Sequence, residues 1–210
     1  MRQLSDKLNI HEEQKMNRCA EVTRKTGETQ ITIRLDLDGS GKGDIATGVP
    51  FMDHMLTLFA RHGFFDLTVK AQGDLEVDYH HTLEDLGLAL GMAFDQALGD
   101  RAGIRRYGNF LLPMDETLVL IALDISGRPG LFYDVTPPAP QVKDIDVRLF
   151  HEFLQAFCSK LGLNLHVKML AAEEAHHLFE AVFKGLAKAL DMATTRDPRV
   201  KGVLSTKGTL

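Results

Sequence analysis

The sequence has few cysteines, and this scarcity limits both its covalent framework and its expected compartment. Only Cys19 and Cys158 occur among 210 residues. Two cysteines in a chain of this length do not suggest a disulfide framework. The scarcity fits a reducing cytoplasm, so we expect a cytoplasmic protein.

Long apolar runs and an excess of positive charge are also lacking. No stretch approaches the roughly 18 apolar residues of a membrane span, and the polar N-terminal segment has no apolar core of the kind found in signal peptides. The net charge is -5 at pH 7, whereas nucleic-acid-binding proteins usually carry a strong basic excess. We therefore expect neither a membrane nor a nucleic acid among the partners.

What the sequence does contain is a repeated motif. VDYHHTLED at residues 77–85 and EEAHHLFEA at residues 173–181 share the pattern H-H-x-x-E. The matched residues are His80, His81 and Glu84 in the first copy and His176, His177 and Glu180 in the second.

The repetition extends beyond this motif. His54 in MDHMLTLF matches His151 in RLFHEFLQAF, and ETQITIRLDLDGSG from Glu28 resembles ETLVLIALDISGRP from Glu116. The order of features is the same in both halves, which indicates an internal duplication.

Each half predicts the same elements in the same order. Alternating residues at 29–37 and 118–125 predict half-buried strands, each followed by a turn rich in glycine. A helix around the single histidine, a strand at 64–72 or 163–170, and a long helix near the H-H pair follow. We predict an α+β fold of two tandem units, about 18–110 and 111–210, each a small sheet with helices on one face. We expect them to form one domain at 18–210, preceded by a polar extension at 1–17, and the proline-rich stretch 134–146 is predicted as a loop.

The spacing within H-H-x-x-E indicates metal ligation. Residues four apart lie on one helical face, so His80 and Glu84 can reach one ion. His81 points about 100° away and is better placed to serve a second ion. Two copies therefore predict two metal sites that each draw on both halves, with His54 and His151 as additional ligands. Imidazole with carboxylate suits Mn, Fe, Zn or Co. His11, which is expected to be solvated, and His62 and His166, which are expected to be structural, have no such motif partner.

Isolated cations and one serine are candidates for holding a phosphate. They are Arg106, Arg128, Lys184, Ser205 and Lys207. Other interpretations stay open, because STKG at 205–208 also has the composition of a flexible tail. Lys184 likewise could form an ordinary i,i+4 pair with Glu180.

Taken in order, these motifs resemble the imidazoleglycerol-phosphate dehydratase family of histidine biosynthesis. The segments that carry the resemblance are TGVPFMDHML, VDYHHTLED, GIRRYG, PMDE, DISGRP, HHLFEAVFKGLAKAL and STKG, from about residue 17 to the end. The stretch Ala172–Ala175 before the second H-H pair departs from the G-x-N-x common in the family, which puts the approach to that helix in question.

The resemblance implies a lyase that converts imidazole glycerol phosphate to imidazole acetol phosphate with two Mn²⁺ per active site. It also implies a shell of 24 subunits built from trimers, with sites between subunits. The implied metal ligands are His54, His80, His81, Glu84, His151, His176, His177 and Glu180, and the implied phosphate ligands are the five residues above. Glu28 matches an acidic residue that lines the family's site, and we take Glu28, Glu180 and His80 as the catalytic set.

The reaction suggests a reason for the duplication. The C–H bond to be broken lies on the middle carbon of the substrate's glycerol chain and is not acidic, so a base alone would not remove its proton. If metals bound both ring nitrogens, the ring could become imidazolate and expel the neighbouring hydroxide, giving a diazafulvene whose C–H is acidic. Two similar ligand sets would serve the two nitrogens, with Glu28 as acid/base. A dinuclear metal hydrolase and a metal-storage assembly remain the alternative functions.

Overall fold

Two halves with the same order of strands and helices make up the computed structural model, which describes residues 18–210. The first half contains β1 (Cys19–Lys25), β2 (Thr29–Asp36), β3 (Gly43–Ala46), α1 (Pro50–Gly63), β4 (Asp66–Gly73) and α2 (His80–Leu98). The second contains β5 (Tyr107–Met114), β6 (Thr117–Asp124), β7 (Gly130–Asp134), α3 (Arg148–Leu161), β10 (Asn164–Ala171) and α4 (Ala175–Thr194). A small hairpin of β8 (Gln141–Val142) and β9 (Ile145–Asp146) precedes α3.

The two four-stranded sheets have one topology. Their strand orders are β1-β2-β4-β3 and β5-β6-β10-β7. In both sheets the first three strands are antiparallel and the last, β3 or β7, is parallel to its neighbour. Parallel neighbours need a crossover connection, which α1 supplies between β3 and β4 and α3 between β7 and β10. The predicted duplicated α+β fold is therefore confirmed.

The helices pack across the two halves. α2 lies on β1 and β2 and packs closely on α3, while α4 lies on β5 and β6 and packs on α1. Glycine allows the close approach of α2 to α3: a Cβ at Gly87 would lie 2.3 Å from the carbonyl oxygen of Phe153. Phe94 of α2 also meets Phe157 of α3, with ring centroids 5.6 Å apart. The two repeats thus share one hydrophobic core.

Sequence patterns left several elements unpredicted. In the two four-stranded sheets, four strands were not predicted, and all lie at sheet edges: β1, β3, β5 and β7. Edge strands such as β5 contain residues that weaken a strand pattern, here Gly108 and Pro113. The predicted loop at 134–146 contains the β8–β9 hairpin. The extension at 1–17, with His11, lies outside the described residues. Within residues 18–210, no helix is both long and apolar enough to cross a membrane.

Candidate active site

Helices α1 and α4 bring three predicted ligands together from the two halves of the chain. The Nε2 atoms of His54 and His176 lie 2.8 and 3.1 Å from the same oxygen, Oε1 of Glu180. Glu180 is only 8% exposed. The possible ligand atoms of these three residues lie within 4.8 Å of one another. Two imidazoles and a carboxylate converging on one point are a ligand set suited to a divalent transition metal.

Lys184 lies one turn after Glu180 and pairs with it. Its Nζ donates to Oε2 of Glu180 and lies 3.4 Å from Sδ of Met114. Burial opposes the charged form of Glu180, but hydrogen bonds from Lys184 and His54 outweigh this effect and lower the pKa of Glu180 to about 2. The carboxylate is therefore ionised at neutral pH, as a metal ligand must be.

An acidic residue stands two positions before the first histidine of each H-H pair, at equivalent positions in the two repeats. The two carboxylate oxygens of Glu174 accept hydrogen bonds from the amides of His176 and His177, at 2.9 and 2.8 Å. Asp78, two residues before His80, accepts from the His80 amide at 2.7 Å. Glu174 thus caps α4. The stretch that departs from the family pattern supplies a helix cap of its own.

The pseudo-equivalent residues of the other copy form a looser arrangement. His80 Nε2 lies 3.9 Å from Oε2 of Glu84, and His151 Nδ1 lies 3.3 Å from its neighbour Glu152. His80 lines a cavity of about 400 Å³ and His151 one of about 290 Å³. Both cavities are also lined by Glu152. Among residues 18–210, the groups of three compact enough to hold an ion do not include these histidines.

The second histidine of each pair contacts carboxylates. His81 Nδ1 lies 2.9 Å from Asp74 Oδ2, and its Nε2 lies 3.8 Å from Glu28 Oε1. His177 Nδ1 lies 3.0 Å from Glu116 Oε2. The hydrogen bonds to Asp74 and Glu116 raise the pKa values of His81 and His177. Motif reasoning missed both carboxylates, although the match of Glu116 to Glu28 in the repeat was a signal for one of them.

The predicted phosphate ligands fall into two groups on the chain. Arg106 is buried, where it pairs with Asp124 through Nε and Nη2 at 2.6 and 2.9 Å and donates through Nη1 to the Leu204 carbonyl at 2.7 Å. It thereby holds the C-terminal segment that contains Ser205 and Lys207. Arg128 is exposed next to Gly127, against which the C-terminal Leu210 packs.

Lys184 belongs to the other group. Its neighbour Met114 ends β5, whereas Arg106 lies just before β5 begins. At about 3.3 Å per residue, the two ends of this strand are roughly 25 Å apart. A single chain therefore does not bring all five residues around one phosphate.

Of the two histidines predicted as structural, His166 lies on β10, whereas His62 is near the Glu180–Lys184 pair, whose charges affect its pKa. His166 stacks on Phe132 with ring centroids 4.4 Å apart. His62 is partly buried, and burial, with the nearby charges of Lys184 and Lys188, lowers its pKa. Neither belongs to a compact group of possible ligands among the described residues.

Comparison with known proteins relates these features to one family. The sequence model of the family described as imidazoleglycerol-phosphate dehydratase matches residues 47–190. The chain belongs to the imidazoleglycerol-phosphate dehydratase family. The matched range contains all eight residues predicted as metal ligands.

Curated relatives and solved structures of this family match nearly the whole chain. The imidazoleglycerol-phosphate dehydratases of Pelobacter propionicus and Trichlorobacter lovleyi are 54% and 55% identical over 195 residues, 93% of this chain and 100% of each relative. The crystal structure of the Pyrococcus furiosus enzyme in complex with (S)-C348 is 39% identical with a TM-score of 0.78, covering 90% of this chain and 100% of that one. The Staphylococcus aureus enzyme gives 35% identity and the same TM-score over 85% and 99% of the two chains.

Membership of the imidazoleglycerol-phosphate dehydratase family establishes the class of activity. The protein is an enzyme, a lyase of histidine biosynthesis, and it acts on a small molecule. The family is metal-dependent, and the His54–His176–Glu180 cluster provides a candidate binding group.

Proposed function

We propose that the protein removes water from imidazole glycerol phosphate to give imidazole acetol phosphate, with two Mn²⁺ per active site. One observation carries the proposal: His54 and His176, from opposite halves of the chain, converge on the buried carboxylate of Glu180. A cluster of this kind inside an imidazoleglycerol-phosphate dehydratase fold is best explained as part of the metal centre.

The chain's donor set fits two transition-metal ions. His54, His176 and Glu180 would hold one of them in part. The remaining ligands in the proposal are His80, His81, Glu84, His151 and His177. When bound, the ions supply positive charge that favours loss of the N–H proton from the substrate's imidazole ring. The carboxylates and imidazoles of the chain fix where that charge lies.

A complete site, in this proposal, combines residues of more than one subunit. Lys184 and Arg106 lie near opposite ends of β5, so one chain does not surround a phosphate with both. The two groups would meet if Lys184 of one copy faced Arg106, Arg128, Ser205 and Lys207 of another. This requirement supports the assembly that the family resemblance implies, 24 subunits with sites between them.

Glu28 is the proposed acid/base. Its side chain is 54% exposed, and its carboxylate lies 3.8 Å from Nε2 of His81. A carboxylate next to a metal-binding imidazole, yet open to solvent, can accept a proton from a bound substrate and return it to the product. Glu180 and His80 complete the proposed catalytic set by holding the ions that polarise the substrate's ring.

Steady-state kinetics of two variants test these assignments separately. Glu180→Gln removes the charge at the centre of the cluster, so both Mn²⁺ binding and turnover of imidazole glycerol phosphate should fall at least 100-fold. Lys207→Ala removes one phosphate contact, so KM should rise about 10-fold or more while kcat changes little. Glu173→Gln is the matched control, because it removes an exposed charge near the same helix start.

Either of two results would contradict the proposal. Full activity of Glu180→Gln without bound metal would remove the metal centre from the mechanism. An unchanged KM in Lys207→Ala would remove the C-terminal segment from the phosphate site.

A further inference from the structure

Two histidine rings, one in each half, are held in the same way by carboxylates outside the motif. Asp74, which follows β4, lies 2.9 Å from Nδ1 of His81. Glu116, in the turn between β5 and β6, lies 3.0 Å from Nδ1 of His177. In both rings it is Nδ1 that faces the carboxylate.

The two carboxylates do not come from equivalent positions in the repeat. Glu116 matches Glu28, because each immediately precedes the alternating strand of its half. Yet Glu28 lies 3.8 Å from the other nitrogen of His81, Nε2, and is 54% exposed. In the first half it is Asp74 that contacts Nδ1 of His81, whereas in the second half Glu116 contacts Nδ1 of His177. The two matched glutamates are therefore engaged differently.

Asp74 is placed at an energetic cost. Its side chain is 19% exposed, and its other oxygen, Oδ1, is buried without a hydrogen-bond partner among the described residues. A buried polar oxygen left without a hydrogen-bond partner destabilises a fold. A buried polar atom without a partner calls for an explanation, and the contact of Asp74 with His81 supplies one.

The hydrogen bond decides which ring nitrogen is available as a ligand. An imidazole that donates its Nδ1 proton to a carboxylate presents an unprotonated Nε2. Metal-binding histidines usually donate their other N–H to such a partner, and removal of that partner typically lowers metal affinity 10- to 100-fold. Asp78 and Glu174 do not compete for these rings, since their carboxylates accept from helix amides.

We propose that Asp74 and Glu116 are positioning residues that orient His81 and His177 to bind metal through Nε2. Asp74 leaves Glu28 free for proton transfer. The inference rests on the proposed function and deepens it, because the duplicated glutamates have separated their roles: Glu116 orients a ligand and Glu28 serves the substrate.

Another arrangement uses the same atoms differently. Asp115, Glu116 and His177 have possible ligand atoms within 4.8 Å of one another, so they could hold an ion through Nδ1. Asp115 is 74% exposed and 4.0 Å from that nitrogen. This arrangement makes Asp115 a ligand, whereas the proposal gives it no role.

The test compares identical substitutions at the matched glutamates, made in the full-length protein. Mn²⁺ affinity is measured by electron paramagnetic resonance of the free ion, Tm is measured in the metal-free state, and kcat is measured at saturating Mn²⁺. Glu116→Gln should weaken Mn²⁺ binding about 10- to 100-fold with an unchanged metal-free Tm. Glu28→Gln should bind Mn²⁺ as the wild type does, while kcat falls about 100-fold or more.

Asp74→Asn tests the other ring. The amide can donate to Nδ1 and place the ring proton on Nε2, so Mn²⁺ affinity should fall as in Glu116→Gln. Asp144→Asn is the matched control: Asp144 accepts from the hydroxyl of Tyr79 at 2.7 Å, beside the same helix start, and contacts no histidine ring in the described structure. The Mn²⁺ affinity of Asp144→Asn should equal that of the wild type.

Three results would overturn the inference while leaving the proposed function in place. They are wild-type Mn²⁺ affinity in both Glu116→Gln and Asp74→Asn, equal weakening in Glu28→Gln and Glu116→Gln, and weakening in Asp115→Asn as large as in Glu116→Gln. If Glu116→Gln lowers the metal-free Tm, its weaker Mn²⁺ binding no longer separates positioning from folding. The Mn²⁺ affinity of Asp74→Asn then tests the inference. A wild-type protein that binds no Mn²⁺ would instead refute the proposed function, and the inference with it.

Discussion

Removal of the Glu174 carboxylate should loosen the start of α4, where two predicted metal ligands lie. Glu174 accepts from two helix amides, those of His176 and His177. Loss of a helix cap costs about 1 kcal/mol, and loss of a negative charge at a helix N-terminus costs about 0.3–1 kcal/mol more. Because Glu174 is exposed, screening by solvent keeps the second contribution small. Glu174→Ala should therefore cost about 1.5 kcal/mol locally.

Hydrogen–deuterium exchange of the peptide at 172–182 measures this effect directly. A local loss of about 1.4 kcal/mol corresponds to a tenfold change in an opening equilibrium, so the two histidine amides should exchange about ten times faster in Glu174→Ala. Glu173→Ala is the control, because Glu173 is exposed and does not accept from these amides. Equal exchange rates in wild type and Glu174→Ala would refute the capping role. They would also leave open how the chain approaches α4 through Ala172–Ala175, the stretch that departs from the family pattern.

Two further predictions concern stability. Gly87→Ala would place a methyl group 2.3 Å from the backbone oxygen of Phe153. Overpacking of about 1–3 kcal/mol outweighs a gain in helix propensity of about 1 kcal/mol, so the metal-free Tm should fall by several degrees. In the control Gly27→Ala the new methyl meets no atom within 4 Å, and the Tm should stay near wild type. Asp66 accepts hydrogen bonds from the amides of Lys42 and Ser40, which lower its pKa below the ordinary 3.8. The ionised carboxylate therefore stabilises the fold above pH 3.8, and this stabilisation is lost as the pH falls through the lower pKa of the folded state. Asp66→Asn should lower Tm at pH 7, and the difference in Tm from wild type should narrow below about pH 4. A difference that stays constant down to pH 3 would contradict this linkage.

The sequence predicted the fold better at the centre of each sheet than at its edges. β2 and β6 are central strands whose alternating side chains face a core on one side, and they were predicted at nearly their observed bounds. The edge strand β3, which has no buried residue, carries no such periodicity. The duplication itself was visible in the sequence because the H-H-x-x-E motif and a third histidine recur in the same order in both halves.

Within the site, motifs identified residues but not their contacts. The H-H-x-x-E pattern indicated which side chains suit a metal, whereas the meeting of His54 with Glu180 depends on the packing of α1 on α4. Asp74 lies in no motif, and only the folded chain places it against His81. Arg106 was predicted from its charge and from the family resemblance, and its ion pair with Asp124 depends on the neighbouring strand ends.

Turnover of imidazole glycerol phosphate by the metal-stripped protein, with and without added Mn²⁺, tests the central claim most directly. The account predicts imidazole acetol phosphate only when Mn²⁺ is present, with no release of inorganic phosphate. Product formed at full rate without metal would contradict the metal centre. Release of inorganic phosphate in place of the ketone would contradict the dehydration and favour a metal hydrolase.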